Sequence, residues 1–336
     1  TVEVNGTQYT GKNVVLATGS YAKTLPGLDV DGKRVITSDH ALNMDYVPKS
    51  AIVLGGGVIG CEFASVWKSF GAEVTIIEAL PRLVALEDES SSKQLERAFR
   101  KRKIEFEVGS RFKSHTVNAD SVTVTLENDK SFTAEVLLVA VGRGPVSAGI
   151  GYEEQGIKMD RGYVLVDNKC RTNVPGIWAV GDLIPTLQLA HVGFQEGILV
   201  AEEIAGLNPR PINYDGVPRV TYSEPEVASV GLSTATAKER GYDVVEISYD
   251  LAGNGKSQIL KTAGSVKLVA QKNGPVLGVH MVGDRVGELL AEAQLIFNWE
   301  ANADDVAPLI HAHPTMSEAM GEAFLALAGK PLHAHG

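Results

Sequence analysis

The sequence predicts an α/β chain that begins in a parallel-sheet crossover unit and ends in a separate α+β domain. Three observations carry this. Ala51 to Leu54 is an apolar run followed by a glycine cluster, a helical stretch from about Val58 to Phe70 and a second apolar run, Glu73 to Ile77, which is the spacing of strand, helix and parallel strand. Val136 to Val141 is a further apolar run that closes the unit at Gly142-Arg143. Pro209, Pro211 and Pro218 mark a change near residue 212, after which strands precede helices. At 336 residues, two or three domains are expected.

The elements follow in order. Lys12 to Gly19 reads as a buried strand ending at a glycine turn. A helix over about Ser90 to Lys101 precedes a strand at Ile104 to Val108. Ser121 to Leu126 and Lys130 to Ala134, joined through Asn128-Asp129, read as an antiparallel hairpin. A short strand at Ile177 to Val180 runs into Gly181-Asp182, and a helix follows over about Phe194 to Ala205. In the C-terminal part, strands are expected near Arg219 to Tyr222, Val244 to Tyr249, Ser265 to Gln271 and Val276 to Val282. An apolar helix is expected over Leu289 to Trp299. No periodic repeat or low-complexity segment is present.

Bulk properties exclude several classes. A net charge of −10 argues against nucleic acid, whose phosphates need clustered Lys and Arg. The densest basic stretch, Arg97 to Lys103, reads as a solvated helix end that complements the helix dipole. The apolar stretch Ala51 to Trp67 is interrupted by glycines and Glu62, which argues against a membrane span. The first residues are not a charged-then-apolar run, so no secretory or transit signal is expected from them, and the first residue is Thr rather than an initiating Met. Cys61 and Cys170 are far apart, so a disulfide scaffold or cysteine zinc site is not expected, and a cytoplasmic location fits.

Gly55, Gly57 and Gly60 form G-x-G-x-x-G at the mouth of a helix, directly after a strand: a Rossmann-like nucleotide turn. The first glycine permits the tight turn, the second lets backbone approach a pyrophosphate, and the third lets helix and strand pack closely. Gly56, Val58, Ile59, Cys61 and Glu62 complete the turn and the first helical residues, and Phe112 and Gly142 are assigned to cofactor binding with them. Cys61, without a resolving cysteine or nearby base, reads as a buried small residue. Glu78 ends the next strand, where a carboxylate accepts ribose hydroxyls and repels a 2′-phosphate, so NAD is favoured over NADP; nearby Arg82 pulls the other way. A bare glycine-rich turn without a nucleotide is the competing reading.

Ile177-Trp178-Ala179-Val180-Gly181-Asp182 followed by Leu189-Ala190-His191 resembles the second flavin-binding segment of the two-dinucleotide-binding-domain flavoproteins. Ala17-Thr18-Gly19 resembles the strand end that closes the FAD domain of that family, and Val141-Gly142-Arg143 resembles the corresponding end of its NAD domain. The resemblance implies that Asp182 bonds the flavin ribityl chain and that Gln188, Leu189, Ala190 and His191 lie along the isoalloxazine. Thr18, Gly19 and Ser20 would belong to the same cofactor site. His311-Ala312-His313-Pro314-Thr315-Met316-Ser317-Glu318 resembles the C-terminal active-site signature of the dihydrolipoamide dehydrogenase branch of the disulfide reductases. It implies His313 as general base and Glu318 as its orienting carboxylate. That suits the chemistry: an imidazole takes a thiol proton near neutrality, and a carboxylate fixes its tautomer. Read without the resemblance, His311-x-His313 could be a metal pair or ordinary polar residues at a helix start. No cysteine or carboxylate triad completes a zinc sphere, so no metal is expected. His333 and His335 carry no signal.

The resemblance covers nearly the whole chain. It implies residues 1–46 as the remnant of an incomplete N-terminal FAD-binding domain, 47–143 as the NAD-binding domain, 144–211 as a returning FAD/central segment and 212–336 as the dimerisation domain. The family's own first glycine motif and C-x-x-x-x-C redox pair do not occur in these residues, so about one domain of chain, on the order of 100–150 residues, is expected upstream. The implied parent oxidises dihydrolipoamide with FAD and NAD as a homodimer serving lipoyl domains of a 2-oxoacid dehydrogenase complex, while this chain alone is expected to be inactive. The competing readings are a glutathione or mercuric reductase, or a non-catalytic NAD-binding and dimerisation module.

Overall fold

The computed structural model describes residues 1–333, so His335 lies outside the described residues. The chain is mixed α/β and divides into two compact units. One comprises residues 1–23 and 142–214; the other comprises 24–141 and 215–336.

In the first unit, Val14–Leu16 pairs in parallel with Ile177–Ala179, so residues far apart in sequence form one small sheet. Ser20–Ala22 pairs antiparallel with Arg143–Pro145. Trp178, Ala179, Leu183 and Leu199 share a buried cluster with Cys170. The helix Ala190–Ile204 begins four residues earlier than the sequence suggests. Its N-cap, Leu189, offers no capping side chain and hence no start signal.

The second unit holds two five-stranded sheets. The parallel one runs in the order Val35–Thr37, Val136–Val139, Ser50–Leu54, Glu73–Ile77, Ile104–Glu107. Its strands are nearly continuous apolar runs, as expected where both faces are covered. The helices Val58–Ser69 and Glu89–Lys101 contribute Ala64, Leu95 and Phe99 to one core, with Val53, Ile76 and Leu138 beneath them. On the other core, Val122, Val124 and Leu126 of an antiparallel three-stranded sheet pack with Ile52, Ile77 and Leu137. The hairpin expected from sequence thus has a third strand, Phe112–Val117.

The second sheet is antiparallel, in the order Arg219–Thr221, Glu226–Gly231, Val276–Gly283, Ser265–Gln271, Val244–Asp250. Leu268, Val279 and Met281 pack with Ala319, Met320, Ala323 and Phe324 of the final helix, Glu318–Leu327. This packing fixes the start of the final helix, where Glu318 stands. The basic stretch at the end of the second helix is exposed at Arg97, Arg100, Lys101 and Lys103, as expected, and departs from expectation at Arg102. Arg102 is largely covered and donates to Ser65 Oγ at 2.7 Å and the Glu224 carbonyl at 2.8 Å, joining helix Val58–Ser69 to the loop between Arg219–Thr221 and Glu226–Gly231. Among the described residues, no helix is long and apolar enough to cross a membrane.

Candidate functional site

Gly55 takes φ +115°, and a Cβ there would lie 2.2 Å from the Ala140 carbonyl oxygen. A Cβ on Gly60 would lie 1.9 Å from the Gly55 carbonyl oxygen. Both glycines are therefore required by close approach. Gly57 differs: it is the N-cap of Val58–Ser69, and nothing lies within 4 Å of its would-be Cβ. The helix start has no side-chain cap and no acidic residue in its first turn. The amides of Val58, Ile59 and Gly60 thus face an open space suited to a pyrophosphate.

Glu78 accepts the Gly56 N–H at 2.5 Å and the Leu80 N–H at 2.7 Å, which holds its carboxylate against the glycine turn. An ionised carboxylate has about four lone-pair sites, so acceptor capacity remains for ribose hydroxyls. One terminal nitrogen of Arg82 donates to the carbonyls of Ala85 and Glu87 at 2.7 and 3.1 Å. These residues fit an NAD-type dinucleotide. Cys61 is fully buried, and burial pushes its thiol pKa up strongly. Burial likewise raises the Cys170 thiol, to about 12, so neither side chain is a ready thiolate. Burial also raises Glu62, although its carboxylate accepts the Tyr222 N–H at 2.8 Å. Phe112 packs on the cluster around Leu54, Ile77 and Val139 rather than within the turn.

In the other unit, Asp182 lies in the short 3₁₀ turn Gly181–Leu183. Its Oδ2 accepts from Ser20 Oγ, which in turn accepts from Arg143 Nε at 2.6 Å. Thr18 Oγ1 donates to the Val146 carbonyl, and Gly19 turns the chain at φ +73°. Gly142, at φ +112°, accepts the Lys23 N–H at 2.9 Å. Gln188 reaches the Asp182 carbonyl at 3.5 Å, and Leu189, Ala190 and His191 form the entry of helix Ala190–Ile204. A partly open carboxylate beside an uncapped helix N-terminus fits a polar ribityl-phosphate chain.

Glu196, which carries no motif in sequence, organises this turn. Fully buried, it accepts the Gly181 N–H at 2.6 Å and the hydroxyls of Thr186 and Tyr214, both at 2.9 Å. Burial, followed by the Glu196 charge, raises the Tyr214 pKa and keeps that phenol a donor. A charged residue about two turns into an apolar helix was the available signal.

His313 Nδ1 meets Glu318 Oε1 at 2.8 Å, while Glu318 Oε2 accepts the Thr315 N–H at 2.8 Å. Thr315 Oγ1 donates back to the Ala312 carbonyl at 2.6 Å, closing the bend at Pro314. Burial alone would raise the Glu318 pKa, but the Thr315 amide and His313 hold it below the ordinary carboxylate value. The His313 side chain is 76% exposed. Its neighbour His311 is covered and pairs through Nε2 with Glu292 at 2.8 Å. The closeness of His311 to helix Glu318–Leu327 requires glycine at 321, where a Cβ would lie 2.7 Å from Nδ1. His333 Nδ1 pairs with Glu322 at 2.8 Å. Among the described residues no cluster of His, Cys, Asp or Glu is arranged to hold a metal.

Residues 1–197 match the family model of pyridine nucleotide-disulphide oxidoreductases, and residues 217–324 match the dimerisation domain of the same family. The chain belongs to that family. Dihydrolipoyl dehydrogenase from Bacillus subtilis is 42% identical over 329 residues, 96% of this chain and 69% of the relative. The mitochondrial dihydrolipoyl dehydrogenase from Schizosaccharomyces pombe is 41% identical over 331 residues, 96% of this chain and 65% of the relative. The chain therefore spans about two thirds of these oxidoreductases. Among solved structures, LpdA from Mycobacterium tuberculosis superposes with a TM-score of 0.87 at 27% identity, covering 94% of this chain and 69% of that one. Membership in this disulphide oxidoreductase family accounts for the mixed α/β architecture, and the dimerisation-domain match supports a homodimer.

Proposed function

We propose that this chain is the NAD-binding, flavin-closing and acid–base portion of a dihydrolipoyl dehydrogenase. The reaction assigned to the full-length enzyme is the two-electron oxidation of dihydrolipoamide to lipoamide, coupled to reduction of NAD⁺. The observation that carries the proposal is the His313–Glu318 pair within the His-Ala-His-Pro-Thr segment.

Each residue has a role that its surroundings allow. An ionised Glu318 can only accept, so neutral His313 carries its proton on Nδ1 and presents a basic Nε2 to solvent. That nitrogen takes the proton of a dihydrolipoamide thiol, and Glu318 stabilises the imidazolium that results. Gly57 and the first-turn amides would hold the NAD pyrophosphate, and Glu78 the ribose. The engagement of Arg82 with loop carbonyls supports NAD over NADP. Asp182, bonded by Ser20 and set in the turn that Glu196 holds at Gly181, would hold the ribityl chain. FAD, when bound, supplies the two-electron relay between a thiol pair and the nicotinamide. In the homodimer His313 serves the disulfide of the partner subunit, and the physiological substrate is a lipoyl domain of a 2-oxoacid dehydrogenase complex.

In the full-length enzyme, His313→Gln is expected to lower dihydrolipoamide turnover by roughly 10²–10⁴-fold. NADH affinity should not change. Undiminished turnover, or faster reduction of glutathione disulfide with NADPH by the parent enzyme, would reject the assignment.

A further inference from the structure

The chain between strand Glu73–Ile77 and helix Glu89–Lys101 is held at both ends by different parts of the molecule. At its start, Glu78 accepts the Gly56 N–H. Midway, Val84 N–H donates to the Gly56 carbonyl at 2.8 Å, and Leu83 Cδ2 lies 2.6 Å from where a Gly56 Cβ would stand. Segment 78–88 is thus a buttress beneath the dinucleotide turn. Val84 takes φ +41°, a region that β-branched residues rarely occupy. Such a conformation persists only where its surroundings over-determine it.

The far end supplies that constraint. Glu87 and Asp88 are 8% and 2% exposed, and both are gripped by the antiparallel sheet and the turn beside it. Arg219 Nε donates to Glu87 at 3.3 Å, and Ser229 Oγ donates to its other oxygen. Lys267 Nζ donates to Asp88 at 3.0 Å, and the Thr234 N–H donates to its second oxygen at 3.1 Å. Lys267 is itself steadied by Glu246 at 2.8 Å. None of these residues lies in the glycine turn.

We propose that Glu87 and Asp88, gripped by Arg219 and Lys267, are positioning residues for the dinucleotide: they hold segment 78–88 in a strained form that presses Leu83 and Val84 against Gly56. This rests on the NAD reading above. Releasing the grip lets Val84 relax, withdraws the buttress and loosens the turn and Glu78 together. Nucleotide affinity then falls although no nucleotide contact has been removed.

The test is NADH binding by calorimetry to the 336-residue chain, with thermal unfolding recorded alongside. Lys267→Met, with Asp88→Asn as a milder second variant, is expected to weaken binding about 10-fold, within the usual range of coupling between sites. Adding Val84→Gly to Lys267→Met should restore most of the loss, because glycine adopts the positive φ without strain. A purely structural role would not produce that rescue. Unchanged affinity in a folded Lys267→Met or Asp88→Asn chain, or a loss that Val84→Gly leaves untouched, overturns the proposal. A folded wild-type chain that does not bind NADH overturns the NAD reading and this inference with it.

Discussion

At His313 the two ring nitrogens have different surroundings, and the difference is measurable. Nδ1 is committed to Glu318, while the side chain remains 76% exposed. ¹⁵N shifts of its neutral form should therefore report the tautomer protonated at Nδ1. In Glu318→Gln the tautomers should mix, and turnover in the full-length enzyme should drop on the order of 10-fold or more. A dominant Nε2-protonated form in the wild type would remove the base assigned here. The pH sense follows from Glu318, whose folded pKa lies below its ordinary 4.5. Its contribution is complete above that value and is lost as pH falls through the folded pKa. The His313–Glu318 spacing was legible in the sequence because both residues sit in one short segment. Glu196 was not, because its partners Gly181, Thr186 and Tyr214 are brought together only by folding.

Among the elements, the glycine turn separates a packing requirement from a binding one. Gly60→Ala places a methyl 1.9 Å from the Gly55 carbonyl, an overpacking expected to cost about 1–3 kcal/mol in thermal or urea unfolding. Gly57→Ala places its methyl in open space at an ordinary φ of −76°. It should unfold within about 1 kcal/mol of wild type, yet bind NADH at least ~10-fold more weakly because the methyl occupies the pyrophosphate approach. Equal NADH affinity in Gly57→Ala would move the nucleotide elsewhere. Elements with a strong local period were readable to the residue, as at Glu73–Ile77 and Ser265–Gln271. Val35–Thr37 was not, since three buried residues carry no period and gain their place by pairing with Leu137–Val139. Glu226–Gly231 is an interior strand of its sheet, but Ala228, Ser229 and Gly231 give it little β preference. Its pairing with strands on both sides decides the matter.

For the molecule as a whole, the network that grips Glu87 and Asp88 also encloses His280, and this predicts an acid response separate from that of the carboxylates. His280 is fully buried, with Nε2 at 2.9 Å from the Leu232 carbonyl and Nδ1 without a hydrogen-bond partner among the described residues. Burial depresses its pKa below the ordinary 6.5 and outweighs the opposing effects of Asp88, the Leu232 carbonyl and Glu87; Arg219 adds to the depression. The folded chain therefore holds His280 neutral while the unfolded chain takes up a proton below about 6.5. Stability should fall as pH drops from that point, by at most about 1.4 kcal/mol per pH unit from this one group, and level off at the folded pKa. Asp88 behaves differently. Burial would raise it, but hydrogen bonds from Ser90, Lys267 and Thr234 hold it far below the carboxylate range, so its contribution persists to much lower pH. Urea unfolding of the wild type between pH 7 and 5 should show the first decline. His280→Gln, which keeps an amide donor for the Leu232 carbonyl, should flatten that slope by one proton. Identical slopes in the two chains would mean that His280 is already protonated in the folded state and that the Asp88 charge, rather than burial, governs it.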